Sequence, residues 1–315
     1  MPLILADAKT CIVLTGDHRQ MNPKIYSSEA KRQKFNQSIL VRLHTYYERY
    51  CKERKHSYES ISIFLNQNYR SQCQLLKFIS ATIYGNEDHL ICRSNVPNIT
   101  LNPMNFFSVF GKEVQTNDST SFYNEEEADE IVNGVSFILN NWPKEWGERK
   151  PEDIQVVATY SQQVARIKSK LRMKNLRNVH VARIYHIQGQ QFRVLFISTV
   201  RTLQLCEGDH MKKCLQGLED INMGEYGFLS EPNMLNTALT RAQSLVAVVG
   251  DPIALCTIGE CRGIWKAYIK QCHSLDSLSA LSYKEIKEAV KGRESSPLGA
   301  EIRKLSEKSL GIKQE

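Results

Sequence analysis

What most constrains the fold of this chain is an alternation: short apolar, β-branched runs recur between segments of helical period. The runs are Cys11 to Leu14, Ile61 to Phe64, Phe106 to Phe110, Ile154 to Ala158, Val179 to Ile184, Val194 to Val200 and Leu245 to Val249. Runs of this kind suit strands buried on both faces, and their alternation with helices argues for a parallel, helix-covered sheet. The expected class is therefore α/β. In open sheets of this class ligands gather beyond the carboxyl ends of strands, where Gly16, Tyr69 and Thr159 fall. At 315 residues, 42% of them hydrophobic, there is room for one large domain or two small ones.

Between the runs, Glu29 to Tyr50 carries Phe35, Ile39, Leu43, Tyr46 and Tyr50 at spacings of three and four, which define one helix face. Asn124 before Glu125, Glu126 and Glu127 reads as a capped helix start whose solvated first-turn acids complement the dipole, in preference to a metal cluster. Arg166, Lys168, Lys170, Arg172, Lys174 and Arg177 crowd the helix after Ser161. That crowding suits either a solvated face or a surface that tracks a nucleic-acid backbone. Thr116 to Ser121 reads as a polar loop, and Leu205 to Gly224 as a long charged insert of the kind that is functional or mobile. Tyr283 to Val290 fits one more amphipathic helix, and Gly292 to Glu315 has the charged, aromatic-poor composition of disorder.

No window approaches about 18 uninterrupted apolar residues, and the first ten residues lack a charged segment followed by an apolar core, so neither a membrane span nor a secretory signal is supported. A cytoplasmic or nuclear address follows by default. The nine cysteines are scattered and form no Cys-x-x-Cys pair, which suggests reduced thiols. Cys261, Cys272 and His273 lack the further short-range ligands that a zinc site needs. The net charge of +7, with a pI near 8.8, tilts the chain toward polyanions.

Near the carboxyl end, Asn236-Thr-Ala-Leu-Thr-Arg241-Ala-Gln leads into a buried run ending at Gly250, a helix that delivers an arginine and then a strand. A guanidinium there can act as an arginine finger, because its forked donors and permanent charge suit oxygens that gain charge as a phosphoryl group leaves. Three further segments stand in a fixed order: Leu14-Thr-Gly16-Asp17-His18-Arg-Gln20-Met-Asn-Pro23, Asn68-Tyr69-Arg70-Ser71, and His186-Ile-Gln188-Gly189-Gln-Gln191-Phe-Arg193. Together the four resemble motifs III, IV, V and VI of superfamily 1 helicases, in the branch of the RNA helicase of nonsense-mediated decay. The similarity is strongest to the helicase with zinc finger domain family and runs from about Leu3 to about Leu278, taking in Tyr226 to Ser230 and Asp251 to Cys256.

The resemblance implies a RecA-like P-loop NTPase fold, with residues 1–28 as the end of a first RecA-like domain, 29–278 as the second helicase core domain and 279–315 as a charged tail. It implies ATP and magnesium as cofactors, with catalytic roles for Gln20 as γ-phosphate sensor and for Arg70 and Arg241 on the phosphates. Tyr69 would stack on adenine, and Gly16, Asp17, Gly189 and Gln191 would line the nucleotide. Gln191 stands where the family often has glutamate, so it can bond a ribose hydroxyl without negative charge. Gln188, Thr159 and Tyr160 would face the nucleic acid; Thr159-Tyr160 resembles a Thr-Pro-Tyr loop without its proline.

No Gly-x-x-x-x-Gly-Lys-Ser/Thr sequence occurs, and no acidic magnesium motif precedes Met1, so the phosphate loop and the metal ligands are expected outside this chain. The implied activity is ATP-driven translocation on single-stranded RNA, with ribonucleoprotein or RNA-decay partners. A DNA helicase of the same superfamily, and a non-catalytic RNA- or partner-binding module left by truncation, are the alternatives. The intact Gln20, Arg70 and Arg241 argue against long-standing loss of the motor half, whereas a recent truncation would leave them unchanged.

Overall fold

The computed structural model describes residues 5–7, 9–25, 27–55, 62–85, 89–97, 99–116, 119–202, 227–229 and 231–295. The chain forms two compact units, 1–65 and 66–315.

Among the described residues the first unit holds two helices, α1 (Ser28–Arg32) and α2 (Ile39–Arg54). The single helix expected over Glu29 to Tyr50 is broken between them. Lys34 turns left-handed at φ 60°, and Ser38 starts α2 afresh by accepting a hydrogen bond from the Val41 amide at 3.2 Å. Phe35, expected on a packed face, falls in the break and is 69% exposed. Leu40 of α2 lies against Gly16, and the rings of His18 and His44 sit 4.9 Å apart. These contacts draw α2 to the polar turn that precedes it, so the compact unit runs on to Leu65 and no break falls near residue 28. The strand expected at Cys11 to Leu14 is absent, as is one over the described part of Ile61 to Phe64. A strand needs a neighbour to take its amides; among the described residues neither run has one, and Val13 and Ile63 lie open to solvent.

The second unit is built on a six-stranded sheet. In chain order the strands of this unit are β1 (Gln67–Asn68), β2 (Ile91–Cys92), β3 (Met104–Ser108), β4 (Glu113–Gln115), β5 (Phe122–Asn124), β6 (Ile154–Ala158), β7 (His180–Arg183), β8 (Phe192–Ser198), β9 (Ala242–Gly250) and β10 (Leu278–Ser279). The main sheet has the order β10-β3-β9-β8-β6-β7, and every pairing in it is parallel. Two ribbons stand apart, parallel β1-β2 and antiparallel β4-β5. The expected runs from Phe106 onward all became main-sheet strands, with ends moved by a few residues.

Among the described residues the helices of this unit are α3 (Cys73–Ile79), α4 (Glu125–Asn140), α5 (Ser161–Met173), α6 (Pro232–Leu239), α7 (Pro252–Thr257), α8 (Arg262–Ser274) and α9 (Tyr283–Glu294). One core cluster joins Ile131, Val135 and Ile138 of α4 and Ile167 and Leu171 of α5 to Val156, Phe196 and Val249 of the sheet. Gly134 lets α4 come close: a Cβ there would meet the Phe196 ring at 2.7 Å. From α8, the fully buried Tyr268 donates within reach of the Asn105 and Val246 carbonyls, each at 3.3 Å, and so staples that helix to β3 and β9. The expected last helix forms as α9 with a complete capping box between Ser282 and Glu285. Leu205 to Gly224 and residues 296–315 lie outside the described residues.

One cysteine pair corrects the sequence reading. Cys73 at the start of α3 and Cys92 in β2 are joined in a disulfide, although their 19-residue separation matches no pairing motif. Pairing depends on where the fold brings the two Cβ atoms, which spacing alone does not encode.

Candidate functional site

Asn68, at the end of β1, makes the turn that presents Tyr69 and Arg70. Its side-chain oxygen accepts from the amides of Arg70 at 3.0 Å and Ser71 at 2.9 Å, an Asx-type turn. Ser71 then donates to the Ala242 carbonyl at 2.8 Å, and the Gln72 amide to that of Gln243 at 2.7 Å, which docks the turn onto the start of β9. Arg70 is thereby brought to segments distant in sequence. Its Nε donates to Gln191 Oε1 and its Nη1 to the Thr240 carbonyl, both at 3.0 Å. Gln191 belongs to the turn before β8, where Gly189 takes φ 81°. Thr240 ends α6.

Arg241 follows at once and is 4% exposed. Its Nε donates to the Thr237 carbonyl at 3.2 Å, its Nη1 to that of Gln190 at 3.4 Å, and its Nη2 to Thr240 Oγ1 at 3.2 Å. Arg70, Gln191 and Arg241 thus meet around Thr240 and Gln190. Tyr69 follows Asn68 on the same turn, is 69% exposed and donates its hydroxyl to Gln67 Oε1 at 2.6 Å. Gln188 and Gly189 lie exposed on the same turn as Gln191.

Arg70 has no carboxylate partner among the described residues, and burial draws its pKa below the ordinary arginine value. Two of its donors are spent on neutral acceptors. A half-buried guanidinium without a counter-charge fits an oxyanion such as a phosphate, because the anion would offset the desolvation that now opposes the charge. Magnesium does not fit in the same way: no group of three or more His, Cys, Asp or Glu side chains among the described residues is placed to hold a metal ion. Cys261 and Cys272 are buried, and burial pushes the Cys272 thiol up to about 12, while the His273 ring stacks on Tyr283.

Thr159 and Tyr160 form a second group at the carboxyl end of β6. Tyr160 is 8% exposed, its ring edge-on to Phe122. Thr159 Oγ1 is buried without a hydrogen bond, against Gly227, where a Cβ would come within 2.8 Å of it. Beside them is Arg201, which sequence reasoning passed over. It pairs with Glu113 at 3.1 Å, lies 4.2 Å over the Phe122 ring and reaches the Tyr160 hydroxyl at 3.4 Å. Glu113 is 2% exposed; burial raises its carboxyl pKa while Arg201 opposes the rise. The available signal was a basic residue immediately past a buried strand, although Glu113 has no sequence signature.

The loop bearing Arg201 is held in a strained form. Val200 has φ 70°, a left-handed conformation that costs a β-branched residue dearly. Its amide donates to both carboxylate oxygens of Glu127, at 3.0 and 2.9 Å, and Ser198 Oγ donates to the same group at 2.6 Å. Gln163 completes the network, accepting from the Asn124 amide at 2.9 Å and donating to Ser198 Oγ at 2.9 Å. Asn124 caps α4 as expected, accepting from Glu127 at 3.0 Å. Glu127 itself is fully buried, where the sequence suggested a solvated first-turn acid, and burial pushes its pKa up to about 8.

In the first unit, Asp17 organises its own turn, accepting from the Arg19 amide at 2.9 Å and from Gln20 Nε2 at 2.7 Å. Gln20 and Gly16 therefore lie together on that turn.

A parallel, helix-covered sheet with a guanidinium cluster at the starts of β8 and β9 defines an α/β protein with a site suited to an oxyanion. The AAA domain family model matches residues 36–253. The chain is 43% identical over 293 residues to the human "Probable helicase with zinc finger domain" (Homo sapiens), covering 91% of this chain and 14% of that protein. It is 42% identical over 291 residues to the Danio rerio protein of the same name, and 33% identical over 301 residues to the "3'-5' exoribonuclease HELZ2" of Mus musculus, with 94% of this chain and 10% of the relative covered. The chain belongs to the AAA domain family, in the superfamily 1 helicase branch that holds the helicases with zinc finger domain. It spans about a seventh of the length of the human relative.

Proposed function

We propose that this chain is the carboxyl-terminal motor core of an ATP-dependent RNA helicase that moves along single-stranded RNA. The observation that carries the reading is the convergence on Arg70: its guanidinium joins Gln191 and Thr240, which lie 121 and 170 residues away in sequence. Three of the four helicase-like segments meet at that point, around a cation with no counter-ion among the described residues. Bound ATP with magnesium would supply a phosphoryl group whose transfer releases the driving free energy. Arg70 and Arg241 hold its oxygens from this side, with forks that a lysine cannot reproduce. Tyr69 offers an exposed ring to a base, and Gln191 an amide to a sugar hydroxyl. Gln20 serves as the γ-phosphate sensor. Gln188, Thr159 and Tyr160 form the nucleic-acid side. RNA is favoured over DNA because one relative is named as an exoribonuclease.

The 315 residues contain no phosphate-loop sequence, so ATP hydrolysis by this chain alone is expected to be negligible. Strong RNA-stimulated hydrolysis by the isolated chain would contradict that division of labour. Competition between matched RNA and DNA strands decides the substrate: preference for RNA supports the reading, and equal or better binding of DNA overturns its RNA part.

A further inference from the structure

Five of the six basic residues crowded on and after α5 divide by partner. Arg166 and Lys170, one helical turn apart, turn to α4: Lys170 reaches Glu125 at 2.8 Å and Asp129 at 2.6 Å, and Arg166 reaches Glu125 at 3.8 Å. Lys168 and Arg172, also one turn apart, point elsewhere and have no carboxylate partner among the described residues. With Arg177 and His180 they line a concavity of about 270 Å³ floored by Leu171, Leu176, Val179 and Val181. Glu152, close in the fold through Asn178, is engaged by that amide at 2.8 Å.

This hollow lies at the opposite end of β6 from Thr159 and Tyr160, and three strands along the sheet from the start of β9, where Arg70 and Arg241 meet. His180 opens β7 and α5 runs back from the carboxyl end of β6, so the hollow sits at the amino-terminal ends of these strands. At a rise of about 1.5 Å per residue, Arg172 stands about 16 Å along the axis from Ser161, beside Thr159 and Tyr160. The carbonyl end of α5 attracts cations in its last turn, which accounts for Lys170 and Arg172. It does not account for Arg177 and His180, which lie beyond the helix and face the same hollow.

We infer that the concavity lined by Lys168, Arg172, Arg177 and His180 is an accessory binding site for the phosphate backbone of single-stranded RNA, separate from the motor site. Lys168, Arg172 and Arg177 offer charge and donors, and the aliphatic floor offers no hydrogen-bonding group to a base edge, so the site holds phosphates without reading sequence. The inference rests on the proposal that the chain acts on RNA. It adds that a strand leaving Thr159 and Tyr160 is held a second time at the opposite ends of β6 and β7.

The test is binding of a labelled oligouridylate by the full chain and by a Lys168→Gln, Arg172→Gln, Arg177→Gln variant, followed by fluorescence anisotropy across a salt series. All three positions are exposed, so the variant should fold; the single Arg172→Gln variant guards against the alternative. With each phosphate contact on a single strand contributing about 0.7 to the salt slope, the triple variant should lose about 2 from it and bind at least about tenfold more weakly at low salt. Arg172→Gln should lose about a third of that slope change. Identical affinity and slope in wild type and triple variant would overturn the accessory site and leave the RNA reading standing. A wild-type chain that fails to bind oligouridylate at all, or that binds polyglutamate in its place, overturns both.

Discussion

At the scale of single residues, Glu127 carries the strongest consequence. Burial raises its folded pKa from the usual carboxylate range to about 8, so between those values the folded state holds a proton that the unfolded chain has released. Its contribution to stability is therefore full below the ordinary carboxylate pKa and is lost as pH rises toward about 8, each unit of separation being worth about 1.4 kcal/mol. Thermal melts of the wild type from about pH 5 to about pH 8 should show a falling melting temperature, and Glu127→Gln, uncharged throughout, should flatten that fall. A wild-type profile as flat as that of the variant would show that burial does not hold the proton. Which residues would converge was legible from sequence for Arg70, Gln191 and Arg241, because each sits in a segment with a recognisable pattern. Glu127 and Glu113 were not legible. Adjacent glutamates look alike in one dimension, and only the approach of β8 decides that Glu127 turns inward while Glu126 stays in solvent.

At the scale of elements, the sheet was readable and its close packing was not. Main-sheet strands showed as apolar runs because both of their faces are covered, whereas two-residue β1, β2 and β10 are too short to produce a pattern. The runs at Cys11 and Ile61 misled for the converse reason: apolarity is necessary for a buried strand, but the neighbour that completes it is not written locally. Packing of α4 on β8 hangs on Gly134. An alanine inside a helix usually stabilises by up to about 1 kcal/mol relative to glycine, but here its methyl would press into the Phe196 ring, and overpacking of a core costs about 1–3 kcal/mol. Gly134→Ala should thus lower the melting temperature by a few degrees; a rise would mean that α4 can shift outward freely. The Cys73–Cys92 link closes a short loop between α3 and β2, and such a loop contributes about 3 kcal/mol by limiting the unfolded chain. Melting with and without dithiothreitol should separate accordingly, and superimposed curves would show that the link adds no stability.

At the scale of the whole molecule, the second unit has its own sheet and its own core. Residues 66–295, expressed alone, should melt cooperatively with the far-ultraviolet spectrum of a mixed α/β protein; a broad, non-cooperative transition would make the first unit a required part of that core. No helix of the described residues is long and apolar enough to cross a membrane.

The strand order carries a consequence for synthesis. β3 lies between β9 and β10, with Met104 opposite Val246 and Phe106 opposite Leu278. A ribosome adding about 5–20 residues each second needs on the order of 10 s or more to pass from one side of the β3-β9 pairing to the other. Throughout that interval β3 has neither of its neighbours, and its apolar side chains are open to chaperones or to another nascent chain. The centre of this sheet is among the last parts able to form, and a pause in translation before β9 would lengthen the exposure.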